Sequence, residues 1–141
     1  MMFKLGSTDF EIDESESCFY IDRENDLIQF SLDISTKDKE YHNEEHAPSI
    51  DIRWFETEKN DISELIGMEV TVSTIEESDE REDTFYLYEH EPFVKYQLKI
   101  IDIHNESVHI SIKGIVVEDG YAKPYTTETL EIDCWLKISY I

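Results

Sequence analysis

Apolar and polar residues alternate one for one along most of this chain, and a period of two places successive side chains on opposite faces of an extended strand. The clearest run is Ile28, Phe30, Leu32 and Ile34, interleaved with Gln29, Ser31 and Asp33. The same pattern predicts half-buried strands at Ile50, Ile52 and Trp54, at Met68, Val70 and Val72, and at Phe85 and Leu87, where Tyr86 and Tyr88 face the other way. Val94, Tyr96, Leu98 and Ile100 alternate with Lys95, Gln97 and Lys99, and Val108, Ile110 and Ile112 with His109, Ser111 and Lys113. Those two runs predict a long hairpin across His104, Asn105 and Glu106. Its phase slips at Ile100 and Ile101, as the extra residue of a β-bulge would make it. A last strand sets Leu130, Ile132, Cys134, Leu136, Ile138 and Tyr140 against Glu131, Asp133, Trp135, Lys137 and Ser139.

One stretch breaks the period. Asp61 precedes Ile62, Ser63 and Glu64, and Gly67 follows Leu65 and Ile66, which is the cap, the acid three residues on and the terminator of a short helix near 61–66. The polar gaps Ser35 to Ser49 and Glu118 to Thr126 read as loops, and Asp22 to Asp26 as a hairpin turn. About eight or nine short strands without alternating helices imply an all-β fold, an antiparallel sandwich or a partly open barrel, with the sandwich preferred. The 141 residues fit one domain, 1–141.

Composition adds a strong electrostatic bias. The formal net charge is −22, from 34 acidic and 12 basic residues, and residues 1–91 carry −20 of it against −2 for 92–141. Two acidic groups stand out: Asp9, Glu11, Asp13, Glu14 and Glu16, and the loop holding Glu76, Glu77, Asp79, Glu80, Glu82 and Asp83. If 9–13 is extended, its carboxylates form a comb with a spacing of ~6.7 Å. Such a field repels nucleic acid and anionic membrane and draws in a basic protein. The plain alternative is that the acids serve solubility and guard strand edges. Tyr86 and Tyr88 next to the second group have the character of interface anchors, unless a second sheet covers them. The near-neutral hairpin, residues 93–118, is a candidate homodimer surface.

The longest aliphatic run is Ile115, Val116 and Val117, far short of a membrane span, and no export signal opens the chain, so a cytoplasmic location is expected. Cys18 and Cys134 are then reduced thiols. His42, Asn43, Glu44, Glu45 and His46 resemble the His-x-x-Glu-His string of the inverzincin zinc peptidases over those five residues. That chemistry implies His42 and His46 as zinc ligands and Glu45 as base, all on one helix, but the flanking Lys39, Glu40, Tyr41, Ala47 and Pro48 form no amphipathic helix. A solvated loop is the expectation, with no metal, no cofactor and no catalytic residue. In being small, acidic and without catalytic motifs, the chain is similar in general character to bacterial immunity proteins that block toxic nucleases. The expectation is a non-enzymatic binder of a basic partner, possible toxins included, with Asp9, Glu11, Asp13, Glu76, Glu77, Asp79, Glu80, Glu82, Asp83, Tyr86 and Tyr88 as its contact residues. A self-associating structural component and a small-ligand binder are the alternatives.

Overall fold

The computed structural model describes every residue from Met1 to Ile141. In chain order the strands are β1 (Met2–Leu5), β2 (Thr8–Asp9), β3 (Cys18–Glu24), β4 (Leu27–Ser35), β5 (Lys39–Tyr41), β6 (Glu44–His46) and β7 (Ser49–Glu56). Then follow β8 (Glu69–Val72), a helix α1 (Ile75–Arg81), β9 (Thr84–Tyr86), β10 (His90–Glu91), β11 (Phe93–His104), β12 (Ser107–Asp119) and β13 (Thr126–Tyr140). Single turns of 3-10 helix span Glu14–Glu16 and Ile62–Leu65. The second is the helix expected near 61–66. Asp61 accepts from the Ser63 amide at 3.0 Å, while the Glu64 carboxylate accepts from the Asp61 amide at 3.2 Å.

One curled sheet runs through the order β10-β9-β7-β4-β3-β13-β12-β11-β8, with β1 on the first half of β13 and β2 on β1. The fold is all-β and fits a partly open barrel. The sheet is mixed rather than antiparallel throughout, because the end of β13 pairs parallel with β3, Ile138 opposite Phe19. β13 can do this because it is long. Its first half is taken up by β1, Phe3 opposite Ile132, and its second half is left free for β3.

Inward residues of this sheet, joined by Phe10, Ile12, Tyr41, Leu65 and Leu87 from the segments around it, make one core of 30 buried side chains, which includes Phe19 and Phe30 stacked at 5.3 Å. Each large apolar side chain so buried is worth about 1.5–3 kcal/mol of transfer free energy, which is what keeps the sheet curled around its core. Three hairpins turn on two residues with positive φ, Asn25-Asp26, His42-Asn43 and Asn105-Glu106, the left-handed pair whose twist matches the flanking strands. The expected bulge is present: pairing between β11 and β12 slips between Ile100 and Asp102. A second slip, between β4 and β7, brings Phe55 opposite Phe30 and against the core, so Trp54 is only half-buried. Trp135 faces outward, and the two tryptophans share no core.

The segment expected to be an acidic loop is α1. Thr74 caps it, its hydroxyl accepting from the Glu77 amide at 3.1 Å, and the Glu77 carboxylate reaches back to the Ser73 amide at 3.0 Å. The helix docks through polar groups. Asp83, 0% exposed, accepts from the Arg53 amide (2.8 Å), from Arg81 Nε (2.8 Å) and Nη2 (3.4 Å), and from the Tyr96 hydroxyl (2.6 Å). Arg81 also donates to the Arg53 and Trp54 carbonyls and lies 3.6 Å over the Phe55 ring, while the buried Ser78 hydroxyl accepts from the Phe93 amide at 2.9 Å. Next to this staple, Gly114 faces Tyr96 across β11–β12, where a Cβ would come within 2.6 Å of the Lys95 carbonyl oxygen and 2.8 Å of the Tyr96 Cβ.

Candidate acidic and aromatic surface

Three segments meet at one end of the barrel: the β5–β6 hairpin, the β9–β10 turn and the connection from β12 to β13. The β5–β6 hairpin is tied down through Glu118 at the end of β12. The buried Tyr41 donates to one of its oxygens at 2.6 Å, and His42 Nε2 lies 3.3 Å from the other. Burial, and then the Glu118 carboxylate, holds the Tyr41 phenol protonated far above its ordinary value. His46 on β6 meets Tyr88 edge-on at 5.0 Å. Its Nε2 is buried without a hydrogen-bond partner and stands 3.5 Å from the Glu44 carboxylate.

On the β9–β10 turn Leu87 anchors the loop in the core, so Tyr86 and Tyr88 point outward, 38% and 37% exposed. Neither is buried under another sheet, although His46 of the β5–β6 hairpin lies against Tyr88. The Tyr86 ring lies 4.9 Å from that of His90, its partner in the register. The carboxylates that act on the Tyr88 phenol are Glu118, Asp119 and Glu44, none of them on α1. Glu91 is folded against Gly120, where any side chain would collide with its carboxylate. Burial first, and then Glu89 and Asp119 beside it, pushes Glu91 up to about 7. Glu89 moves the other way, held below its ordinary value by the Tyr121 phenol and by Glu91. The two carboxyl groups are therefore coupled, with the proton favoured on Glu91. Among these carboxylates the ion pairs within 4.0 Å are with His42 and His46, and none is with lysine or arginine.

The residues expected to bind a partner are thus dispersed. Glu76, Glu77, Asp79 and Glu80 are exposed on α1 and Glu82 caps its end at φ 64°. Asp83 is a correction: it is wholly buried in the staple and presents nothing to a partner. Asp9, Glu11 and Asp13 do share the outer side of an extended segment whose Phe10 and Ile12 are buried. That comb is answered in part, since Lys37 pairs with Glu11 at 2.7 Å, Lys39 donates to the Asp9 carbonyl, and Asp13 caps the first 3-10 turn. The His42 to His46 string is neither helix nor open loop but the β5–β6 hairpin, with Glu45 opposite Glu40. No three His, Cys, Asp or Glu side chains come together in a geometry that could hold a metal ion. Cys18 and Cys134 are free thiols, and burial pushes Cys134 up to about 12.

Two carboxylate pairs were not singled out from the sequence, and the second of them needs the register. One is Glu89 and Glu91. The other is Asp33 on β4, directly opposite Asp51 on β7, in a shallow hollow of about 190 Å³ that Tyr20, Arg53 and Trp54 also line. Burial and then the Asp33 carboxyl push Asp51 up to about 6, against an Arg53 guanidinium 3.6 Å away. Burial and the same Asp33 push Tyr20 up to about 12.

These shifts set the sign of a pH dependence. Asp51 and Glu91 bind their protons more tightly folded than unfolded, where the ordinary values of 3.8 and 4.5 apply. Their contribution is fully present below those values and is lost as pH rises through about 6 and about 7. Urea midpoints are therefore expected to fall from mildly acidic to mildly alkaline buffer, and Asp51→Asn together with Glu91→Gln to flatten that fall. A midpoint that climbs over this range, or a slope unchanged in the double variant, would contradict the assignment.

Compared with known proteins, the chain matches no family model, no curated protein and no solved structure. No helix is long and apolar enough to cross a membrane.

Proposed function

We propose that this chain is a non-enzymatic binding domain for a basic protein, acting in the cytoplasm in the manner of an immunity protein that covers a toxic enzyme. The observation that carries it is the barrel end just described, where outward tyrosines stand among carboxylates that have no lysine or arginine to neutralise them. Tyrosine offers contact area at small entropic cost, and carboxylates around it reward a guanidinium or ammonium group that also stacks on the ring. The exposed acids of α1 and of the 9–13 segment extend the field and speed encounter with a cationic surface. The residues engaged are then Tyr86, Tyr88 and Tyr121 with Glu44, Glu89 and Asp119, while Glu76, Glu77, Asp79, Glu80 and Glu82 steer.

Capture of partners from a lysate of the protein's own source, at low and at high salt, tests this. A basic protein should be held by the wild type and released as salt rises, since exposed charges are screened over about 8 Å at physiological ionic strength. Tyr86→Ala with Tyr88→Ala should abolish capture. Changing the five exposed α1 acids to Gln should slow association and leave the final complex weaker but formed. Capture of nothing basic, or capture indifferent to both variants, would sink the proposal.

A further inference from the structure

β8, β11 and β12 form one end of the sheet, and a trough of about 630 Å³ runs over their outer face. Its polar lining is Thr71 on β8 and Ser73 just after it, Lys95 and Gln97 on β11, and Lys113 on β12. The register sets these side by side: Gln97 stands opposite Thr71 on one side and Lys113 on the other, while Lys95 pairs with Ile115, two residues from Lys113. The two lysines are therefore diagonal neighbours, ~7–8 Å apart in an antiparallel pair.

In a chain with 34 acidic residues among 141, the nine residues that line this trough include none. Four other hollows of the surface each hold at least one carboxylate. Both trough lysines are exposed, and neither has a carboxylate within ion-pairing distance; the ion pairs of this chain's lysines and arginines belong to Lys37, Arg53, Arg81 and Lys99. Of the acids nearby, Glu69 pairs with Lys99 at 3.2 Å and Glu77 accepts from the Ser73 amide at 3.0 Å. Glu131, opposite Lys113 in the register, stands equally opposite Lys4 on β1. Like charges set together on one face repel, and an anion held between them relieves that cost.

A phosphate group suits this set of donors. Ammonium groups bind it as point charges, hydroxyl and amide donors serve its remaining oxygens, and a trough of this size has room for the molecule that carries it. The acidity of the rest of the chain limits which phosphates can come. Charge is screened over about 8 Å at physiological ionic strength, so a small molecule in the trough feels the two lysines, whereas a nucleic acid or an anionic membrane must lie across acidic surface as well.

We propose that this trough binds the phosphate group of a small soluble molecule, with Lys95 and Lys113 neutralising its charge and Thr71, Ser73 and Gln97 donating to its oxygens. This goes beyond the binding of a basic partner, which uses other segments and stands or falls separately.

Titration of the isotope-labelled full chain with inorganic phosphate and with inorganic pyrophosphate, free of divalent cations and read by amide chemical shifts, decides it. Saturable shifts should be confined to β8 and Ser73, to Lys95 through Gln97 and to Lys113 through Ile115, and acetate at equal ionic strength should not produce them. Lys95→Ala with Lys113→Ala should raise the dissociation constant by roughly tenfold or more, the loss expected when hydrogen bonds to a charged group are removed. Lys37→Ala with Lys59→Ala, which takes the same charge from elsewhere, should leave it unchanged, and unaltered melting curves exclude misfolding as the cause. Phosphatidylcholine vesicles containing phosphatidic acid should not carry the protein down with them. Shifts no stronger than those from acetate, binding that survives the loss of both trough lysines, or binding found only on the vesicles overturns the proposal.

Discussion

Replacing Asp83 with Ala is expected to destabilise the fold by about 3–5 kcal/mol, the range for removing one partner of a buried ion pair. The effect is large because four donors converge on this buried carboxylate, and of these only Arg81 Nη2 has another acceptor, the Arg53 carbonyl. Without it, the Arg81 guanidinium is left partly buried beside Phe55, and the Arg53 amide and Tyr96 hydroxyl lose their acceptor. Against a total stability of about 5–15 kcal/mol for a domain of ordinary size, that loss is a substantial fraction of the whole. The midpoint of thermal unfolding should drop on the order of 10 °C for a chain of this length. Tyr96→Phe deletes a single hydrogen bond to a charged group and should cost less, about 1.5–3 kcal/mol. Urea denaturation of both variants checks the order. A loss below about 1 kcal/mol for Asp83→Ala, the scale of an exposed ion pair, would show that α1 does not depend on this staple.

The second large effect is expected at Gly114. Val at this position would drive its Cβ into the Lys95 carbonyl and the backbone of Tyr96, neither of which can swing away as a side chain tip could. Overpacking of this kind costs about 1–3 kcal/mol, and here the strain falls on the residue that holds Asp83. Amide hydrogen exchange gives the discriminating readout: Gly114→Val should lower protection along β11 and β12 and loosen α1 with them. Protection lost evenly over the whole chain would instead mean that the clash is relieved elsewhere.

Much of the sheet could be read from the residues, and what could not follows from identifiable physics. Strands β4, β11, β12 and β13 alternate cleanly because one of their faces meets water, and the slip at Ile100 announced its bulge. β1 and β3 went unassigned. β1 is four residues long, and in β3 the outward positions Cys18 and Tyr20 are half-buried beside Asp33 and Lys137, which blurs the contrast between faces. α1 hid for a different reason. Its docking side is built of Ser78, Arg81 and, just beyond it, Asp83, so no apolar stripe marks it. The signal it did carry was local, Thr74 followed three residues later by Glu77, which is a reciprocal cap. Strand order and the pairing of Asp33 with Asp51 depend on register between distant segments, and nothing along the chain encodes that legibly. The sandwich and the partly open barrel were indistinguishable for the same reason. The candidate surface was half visible: alternation turned Tyr86 and Tyr88 outward, but the carboxylates that act on Tyr88, Glu44, Glu118 and Asp119, come from two other hairpins.

The placement of β13 bears on how the protein is made. The ribbon from β3 to β9 and the hairpin of β11 and β12 can each assemble as soon as its own residues have left the ribosome, but within the sheet only β13 joins them, through β3 on one side and β12 on the other. β1, which precedes both, must also wait for β13, its long-range partner. Closing contacts so distant in sequence is slow, because the intervening chain must be ordered before any of them forms. During translation, then, the nascent chain carries two half-sheets with open apolar faces until residues 126–140 arrive, and the heavy acidity of the first 91 residues keeps those intermediates apart while they wait.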